Sequence, residues 1–391
     1  MPVGIRAVAA CSLLLLAALP ARADFSSCRE ALKSEAIRKG VSAATASAAL
    51  DRVAPDPKVL ELENYQPEFK TPIWDYLATA TDDERVADGR AAMAANAKAL
   101  SLAEERYGVS RYVIAAIWGV ESDFGKSLGS RPLVASLATL ACSGSRRPDY
   151  FRGELMAALK IADRGDVPLE ELNGSWAGAF GQTQFMPSSF LRLAVDLDGT
   201  GRDIVQNPAA ALGSTANFLK KSGWVSGLPW GFEVRAPEGY HGPSGRKAKR
   251  PMSYWRGAGF ERMDGKPLGE GEAGLFLPAG RDGPAFLVTR NFDAIYSYNA
   301  ADSYALAVAV LAHRLAGGPG VQGAWPTDDP GLSRAQIKEM QELLIKRGYD
   351  VGTPDGAIGA KTRAAIADVR QKAGLPADGR ASHKVLDALR Q

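Results

Sequence analysis

The sequence predicts a mainly α-helical protein with a small β-containing insertion and a separate C-terminal unit of three short helices. Three observations carry that expectation. Apolar residues recur at helical spacing in several long stretches. Between about 223 and 290 glycine and proline become frequent and the hydrophobic runs shorten. After a Gly/Pro-rich stretch at 317–331, apolar residues return at helical spacing to the end of the chain.

In chain order, residues 1–23 have the form of an export signal. Arg6 precedes an apolar run from Ala7 to Leu19, too short to span a bilayer, and Ala21-x-Ala23 supplies the small residues of a cleavage site. From Asp24 to about Leu102 helices alternate with prolines (Pro55, Pro57, Pro67, Pro72). Residues 111–120, Arg-Tyr-Val-Ile-Ala-Ala-Ile-Trp-Gly-Val, predict a compact apolar helix, and 150–162 another. Asn207-Pro208 supplies an N-cap and a first-turn proline for a helix over 208–222. Strands are expected at 275–277 and 285–288, and helix again at 303–315. The stretch 317–331 has the composition of a flexible linker. Beyond it, Ile337, Met340, Leu343 and Leu344, then Thr362, Ala365, Ile366 and Val369, then Val385, Leu386 and Leu389 mark three helices of a unit at 332–391. Turns at Pro354-Asp355-Gly356 and Pro376-Ala377-Asp378-Gly379 separate them.

The 391 residues are 46% hydrophobic and 23% charged, which excludes collagen-like, wholly disordered and polytopic membrane chains. Lys and Arg number 47 against 44 Asp and Glu, so the basic excess of a nucleic-acid binder is missing. The C-terminal unit from Gly331 carries a modest basic bias, 11 basic against 7 acidic residues. His241, His313 and His383 are far apart and form no zinc motif. Cys28 and Cys142 survive removal of the signal, and in an oxidising compartment they are a disulfide candidate.

Two motifs fail on spacing or context. Gly119 to Ser127 ends in Gly-Lys-Ser, but five residues separate Gly119 from Gly125 where a phosphate loop needs four. Gly125-Lys126-Ser127-Leu128-Gly129 fits a nucleophile elbow but follows a helix where a strand is needed. The informative stretch is Ile117-Trp118-Gly119-Val120-Glu121-Ser122-Asp123-Phe124-Gly125. Glu121 closes an apolar helical turn, where desolvation raises a carboxyl pKa and suits it to general-acid work. Asp123, two residues on, faces elsewhere on a helix. A second stretch, 174–189, gathers small residues, aromatics and amides: Gly-Ser-Trp-Ala-Gly-Ala-Phe-Gly-Gln-Thr-Gln-Phe-Met-Pro-Ser-Ser. Such residues allow close backbone approach, read hydroxyl and acetamido groups, and stack on sugar rings.

Together these two stretches resemble the membrane-bound lytic transglycosylase B family, whose members cleave the glycan of bacterial peptidoglycan. The resemblance extends through Ser136-Leu137-Ala138-Thr139-Leu140, Arg146-Arg147-Pro148-Asp149-Tyr150-Phe151, Ala194-Val195-Asp196-Leu197-Asp198-Gly199 and Tyr298-Asn299 with Tyr304. It covers 24–316 and implies a lysozyme-like α catalytic domain with an N-terminal helical region. The last 60 residues resemble the small peptidoglycan-binding domain through Asp355-Gly356-x-x-Gly359-x-x-Thr362-x-x-Ala365-Ile366.

The resemblance implies that Glu121 is the single catalytic acid and base, closing a 1,6-anhydro ring with help from the substrate N-acetyl group. It further implies that Ser175 and Gln184 hydrogen-bond the sugar and that Tyr298 and Tyr304 line the cleft. Arg146 and Arg147 would meet the stem peptide, and Gln66 is a further cleft candidate. Asp196 and Asp198 begin a loop similar to a calcium loop, but Thr200 and Asn207 stand where it needs carboxylate ligands, so no cofactor is expected and calcium binding is weak or absent. Phe218 stands where some members carry tyrosine. The expected partners are peptidoglycan glycan strands and stem peptides in the periplasm, with no nucleic acid and no stable membrane insertion. The alternatives are a lysozyme-like hydrolase and a catalytically silent wall-binding protein.

Overall fold

The computed structural model describes residues 20–63 and 71–391. Most of the expected export signal (1–19) and Gln66 lie outside the described residues. The fold is mainly helical, and its helices gather around two cores.

The first core is built by the helices Pro20–Arg38, Ala43–Leu50, Pro57–Glu63, Leu133–Cys142 and Pro148–Asp163. Leu32, Leu50, Val59, Leu137, Phe151 and Leu155 fill it. The prolines punctuate this region as expected: Pro57 opens one helix, and Pro72 precedes the helix Ile73–Ala80. A disulfide between Cys28 and Cys142, with Cα atoms 5.9 Å apart, fastens the first of these helices to the fourth. Glu154, buried in Pro148–Asp163, accepts hydrogen bonds from the Ser188 amide (2.8 Å) and hydroxyl (2.7 Å). Its carboxylate so satisfies the first turn of the helix Pro187–Leu193, where free N–H groups and the helix dipole favour an anion.

The second core surrounds the helix Arg111–Ser122, the central helix, which is buried from Val113 to Gly119. Asp302–Leu315 lies against it; Ala305, Ala307, Ala309 and Ala312 let the two backbones approach closely. Ala97–Tyr107, Asp83–Ala95 and Pro208–Lys221 complete the surround. Asn207 caps the last of these, its side chain accepting from Ala209 and Ala210.

A five-stranded antiparallel sheet interrupts the helices, in the order Arg250–Pro251, Glu272–Phe276, Ala285–Val288, Gly231–Arg235, Glu261–Arg262. The expected strands at 275–277 and 285–288 are two of these, pairing Leu275 with Leu287 and Phe276 with Phe286. Gly231–Arg235, which pairs Phe232 with Leu287, had no counterpart among the expected strands. Its Gly-Phe-Glu-Val-Arg pattern is short, and only the pairing reveals it. Phe232, Trp255, Leu275 and Leu287 form its core.

Three helices, Arg334–Lys346, Ala360–Lys372 and His383–Arg390, make the C-terminal unit around Ile337, Met340, Leu344, Ile366, Val385 and Leu386. Ser333 and Gln336 form a capping box on the first. Buried Gln341 closes the Pro354-Asp355-Gly356 turn: its carbonyl accepts from the amides of Asp355 and Gly356, and its NH₂ donates to Ala357 O.

Contrary to its composition, the stretch 317–331 is held against the fold and is no free linker. Glu233 accepts hydrogen bonds from the amides of Gln322 (2.9 Å) and Gly323 (2.6 Å), and Trp325 lies on Trp74 with ring centroids 6.2 Å apart. Two arginines of the terminal unit then clamp onto the body: Arg380 on Asp75 (2.9 Å) and Arg334 on Asp82. Gly and Pro content describes an isolated chain; here a tryptophan and a set of carboxylates supply the tertiary contacts that order it.

The disulfide closes a long loop, 114 residues in sequence separation, so it removes much freedom from the unfolded chain. Replacing Cys28 and Cys142 together by alanine is expected to lower the unfolding free energy by about 2–5 kcal/mol. Calorimetry of the oxidised protein and the double variant measures this; equal melting temperatures would contradict it.

Candidate active site

The central helix delivers Glu121 at its last turn. Beyond it the chain reverses through three residues in the left-handed region: Asp123 (φ 52°), Phe124 (φ 59°) and Gly125 (φ 84°). Glycine is at ease there and aspartate tolerates the region, whereas Phe124 costs about 1–2 kcal/mol. The Phe124 ring makes room for itself against Gly119, where an added Cβ would stand 2.5 Å from the ring. Ser122 ties the helix end to the facing loop, donating to Gln182 O and accepting from the Gly125 amide (2.9 Å).

Glu121 sits among apolar and aromatic groups with its Oε1 accepting a 2.6 Å hydrogen bond from the Tyr304 hydroxyl. Burial pushes its pKa from the ordinary 4.5 up to about 7, and the Tyr304 bond, which favours the carboxylate, opposes that rise. The group is therefore poised between acid and base near neutral pH. Tyr298 stacks on Tyr304, ring centroids 6.4 Å apart and 12° from parallel. Its hydroxyl donates to Thr183 O (2.7 Å), so it braces the loop. Burial and the Glu121 charge hold both phenols well above their usual range. Asp123 turns away, as expected, and its Oδ1 accepts from Arg85 (2.9 Å) and Arg334 (3.3 Å).

The facing loop at 174–189 is folded on itself by paired backbone at Gly174–Phe180 and Phe180–Phe185. A Cβ on Gly174 would stand 2.1 Å from Ala179 O, which explains a glycine there. Ser175 closes the turn, its amide donating to Ala179 O (2.8 Å) and its Oγ accepting from the Ala179 amide (3.0 Å). The hydroxyl proton of Ser175 is left to donate elsewhere. Gln184 adopts φ 49° and gives its NH₂ to Gly181 O (2.8 Å) and Leu128 O (3.1 Å). That strained, doubly anchored amide has only its carbonyl oxygen free for a ligand. Thr183 Oγ1 and Trp118 Nε1 are buried without a hydrogen-bond partner.

Other expected residues make contacts within the protein. Arg146 donates from its amide to Glu63 Oε1 (3.0 Å) and from its guanidinium to Glu63 O, fixing the helix Pro57–Glu63. Arg147 lies over Tyr150, 4.8 Å from its centroid, beside Phe151. Asp196 accepts from the Gly199 amide, and Asp198 from the Thr200 amide and hydroxyl. Asn207 gives its oxygen to helix capping and its NH₂ to Thr200. The loop's polar groups are thus turned on one another. Phe218, in contact with Tyr298 at 4.6 Å between centroids, carries no hydroxyl to offer. Sequence reasoning assigned no role to Ser122, Thr183 and Arg85. Ser122 and Thr183 had a signal, their places inside the Glu-Ser-x-Phe-Gly motif and the 174–189 stretch, and Arg85 had none.

A family model for the transglycosylase SLT domain matches residues 24–313. The chain belongs to that family. A peptidoglycan binding domain model matches residues 333–389. Membrane-bound lytic murein transglycosylase B of Escherichia coli is 39% identical over 222 residues, 56% of this chain. The match spans 60% of that curated relative's length. SltB3 from Pseudomonas aeruginosa, solved in complex with NAG-anhNAM-pentapeptide, is 46% identical, with TM-score 0.75 over 94% of this chain and all of its own. The Escherichia coli lytic transglycosylase SLT35, solved with bulgecin A, is 31% identical, with TM-score 0.65 over 74% of this chain and 92% of its own.

Burial of Glu121 has a thermodynamic signature. Its folded pKa of about 7 lies above the ordinary 4.5 of an unfolded chain, so the native state keeps a proton that the unfolded state gives up. This contribution is fully present below about pH 4.5 and is lost as pH rises toward 7. Glu121→Gln escapes that loss. The variant is expected to gain roughly 3 kcal/mol on the wild type across the window, measured by urea unfolding at each pH; a constant difference would refute the burial.

Proposed function

We propose that the protein is a lytic murein transglycosylase that cleaves the β-1,4 bond between N-acetylmuramic acid and N-acetylglucosamine and leaves a 1,6-anhydro-muramyl end. The observation that carries the proposal is a single carboxyl, Glu121, kept protonated near neutral pH by burial and held by Tyr304. A two-carboxylate retaining mechanism needs a partner carboxylate roughly 5 Å away, and the nearest in sequence, Asp123, is paired with two arginines.

In the proposed sequence Glu121 gives its proton to the glycosidic oxygen, and the C1–O4 bond breaks. The N-acetyl carbonyl oxygen of the muramyl residue bonds to C1 and holds the developing charge. Glu121, now a carboxylate, takes the proton of the C6 hydroxyl as that oxygen bonds to C1 and displaces the acetamido oxygen. The proton is back on Glu121 and no water is consumed. Ser175 Oγ–H and the Gln184 carbonyl are the groups left free to orient the sugar, while Tyr298 braces the loop that carries them. The SltB3 complex with an anhydro-muramyl ligand supports this product class.

No cofactor enters the proposal. Peptidoglycan strands with their stem peptides are the proposed substrate, and the C-terminal unit is the proposed wall-binding module, supported by its family match. The Cys28–Cys142 disulfide supports a periplasmic setting, where such bonds persist. Among the described residues no helix is long and apolar enough to cross a membrane.

The test is product analysis on purified peptidoglycan. Anhydro-muropeptides, one water lighter than hydrolysis products, are expected; water-containing products would instead establish a lysozyme-type hydrolase. Glu121→Gln is expected to lower release by roughly 10²–10⁴-fold while sacculus binding persists, and full activity in that variant would sink the assignment. Activity should fall as pH rises above about 7, where Glu121 loses its proton. Tyr304→Phe removes the bond that favours the carboxylate, so that alkaline limb moves to higher pH.

A further inference from the structure

The left-handed turn behind Glu121 is held by groups from two distant parts of the chain. Asp82 caps the helix Asp83–Ala95 and accepts from the Arg85 amide at Oδ1 (2.7 Å). Its other oxygen, Oδ2, accepts from the Arg334 amide (2.9 Å) at the start of the C-terminal unit. One buried carboxylate therefore sets two arginines side by side, 249 positions apart in the chain. Both guanidiniums reach the same oxygen, Asp123 Oδ1. Arg85 also donates to Gly119 O (2.7 Å), a carbonyl of the last turn of the central helix. Cations at a helix C-terminus neutralise its exposed carbonyls and negative dipole end.

Arg334 meets further carboxylates at Asp88 (3.8 Å) and Glu84 (3.9 Å). Without it Arg85 alone among the arginines would face Asp82 and Asp123, both of which it now shares. The other arginine of the C-terminal unit on this face, Arg380, works at Asp75 and Asp329 and touches no residue of the turn. The two clamps thus differ in what they hold: Arg380 fastens the unit, and Arg334 fastens the unit and the catalytic turn together.

We propose that Arg334 is a positioning residue for Glu121, contributed by the C-terminal unit through Asp123. The inference rests on Glu121 as the catalytic acid. It makes the terminal unit more than a wall anchor, because its first helix carries a side chain that fixes the geometry of the reaction centre.

The test uses the full chain and a soluble, uncross-linked peptidoglycan glycan strand, on which wall anchoring plays no part. Arg334→Ala is expected to lower kcat about tenfold with KM within about twofold. Arg334→Lys, which keeps the charge, should recover part of that loss. Arg380→Ala, which loosens the same unit away from the turn, should leave kcat within about twofold. Wild-type kcat in Arg334→Ala, or an equal loss in Arg380→Ala, would overturn the proposal. If Arg334→Ala does not fold, Asp123→Asn carries the test, since asparagine tolerates the left-handed region but loses the charge; an unchanged kcat in that variant would overturn the proposal equally. Glu121→Gln runs in parallel: if it remains active, the acid assignment fails, whatever Arg334 does.

Discussion

A carboxylic acid keeps its proton near neutral pH only where solvation of its charged form is taken away, and the fold is arranged around that constraint at Glu121. A helix apolar from Val113 to Trp118 can exist only inside a shell of other helices, and that shell strips water from the residue at its end. Full desolvation would leave an acid that never ionises. The Tyr304 hydroxyl offsets part of it, because a hydrogen bond at 2.6 Å favours the carboxylate. The role proposed for Glu121, giving a proton in one step and taking one in the next, needs both forms within reach. The balance of burial against a single phenol supplies that.

The chain also leaves the helix immediately after Glu121. It does so through Asp123 and Phe124 in a backbone region that non-glycine residues avoid. Such strain persists only when its surroundings over-determine it. Here Phe124 is locked into the notch left by Gly119, Ser122 is tied to Gln182 O, and Asp123 is gripped by two arginines. The facing loop repeats the device with Gln184, whose amide anchors compensate an unfavourable φ. Strain in two facing segments, each with its own clamp, marks where the fold gives up local comfort for geometry.

Much of this was legible in the amino-acid sequence. The long helices stand within a few residues of their expected positions because apolar periodicity and Pro/Asn punctuation are local signals. Glu121 stood out because an acid at the end of an apolar run is a conflict that demands an explanation. What escaped was non-local. Strand Gly231–Arg235 is defined by its partner Ala285–Val288 and has no periodicity long enough to announce it. Arg146 and Arg147 looked alike in sequence, yet one is committed to Glu63 and the other lies on Tyr150. The stretch 317–331 has linker composition, and only Glu233, Trp74 and Asp75, each far away in sequence, convert it to a packed strap.

The charge of the C-terminal unit shows the same point in its sharpest form. Its 11 basic residues against 7 acidic ones suggested a surface for an anionic wall. In the fold, Arg334 and Arg380 are directed at carboxylates of the body, and Arg370 is buried against Asp329, Pro376 O and Arg380 O. Lys338 meets Glu84, and Lys384 meets Asp328. Most of the apparent surplus is therefore matched by acids that lie before residue 331 and never entered the local count. The exposed basic residues that remain, such as Lys346 and Arg347, act over no more than about a Debye length of 8–10 Å at ordinary salt. Two of its arginines, Arg334 and Arg380, thus serve the body to which they are bound, and the wall-binding role proposed for the module falls to the rest of its surface.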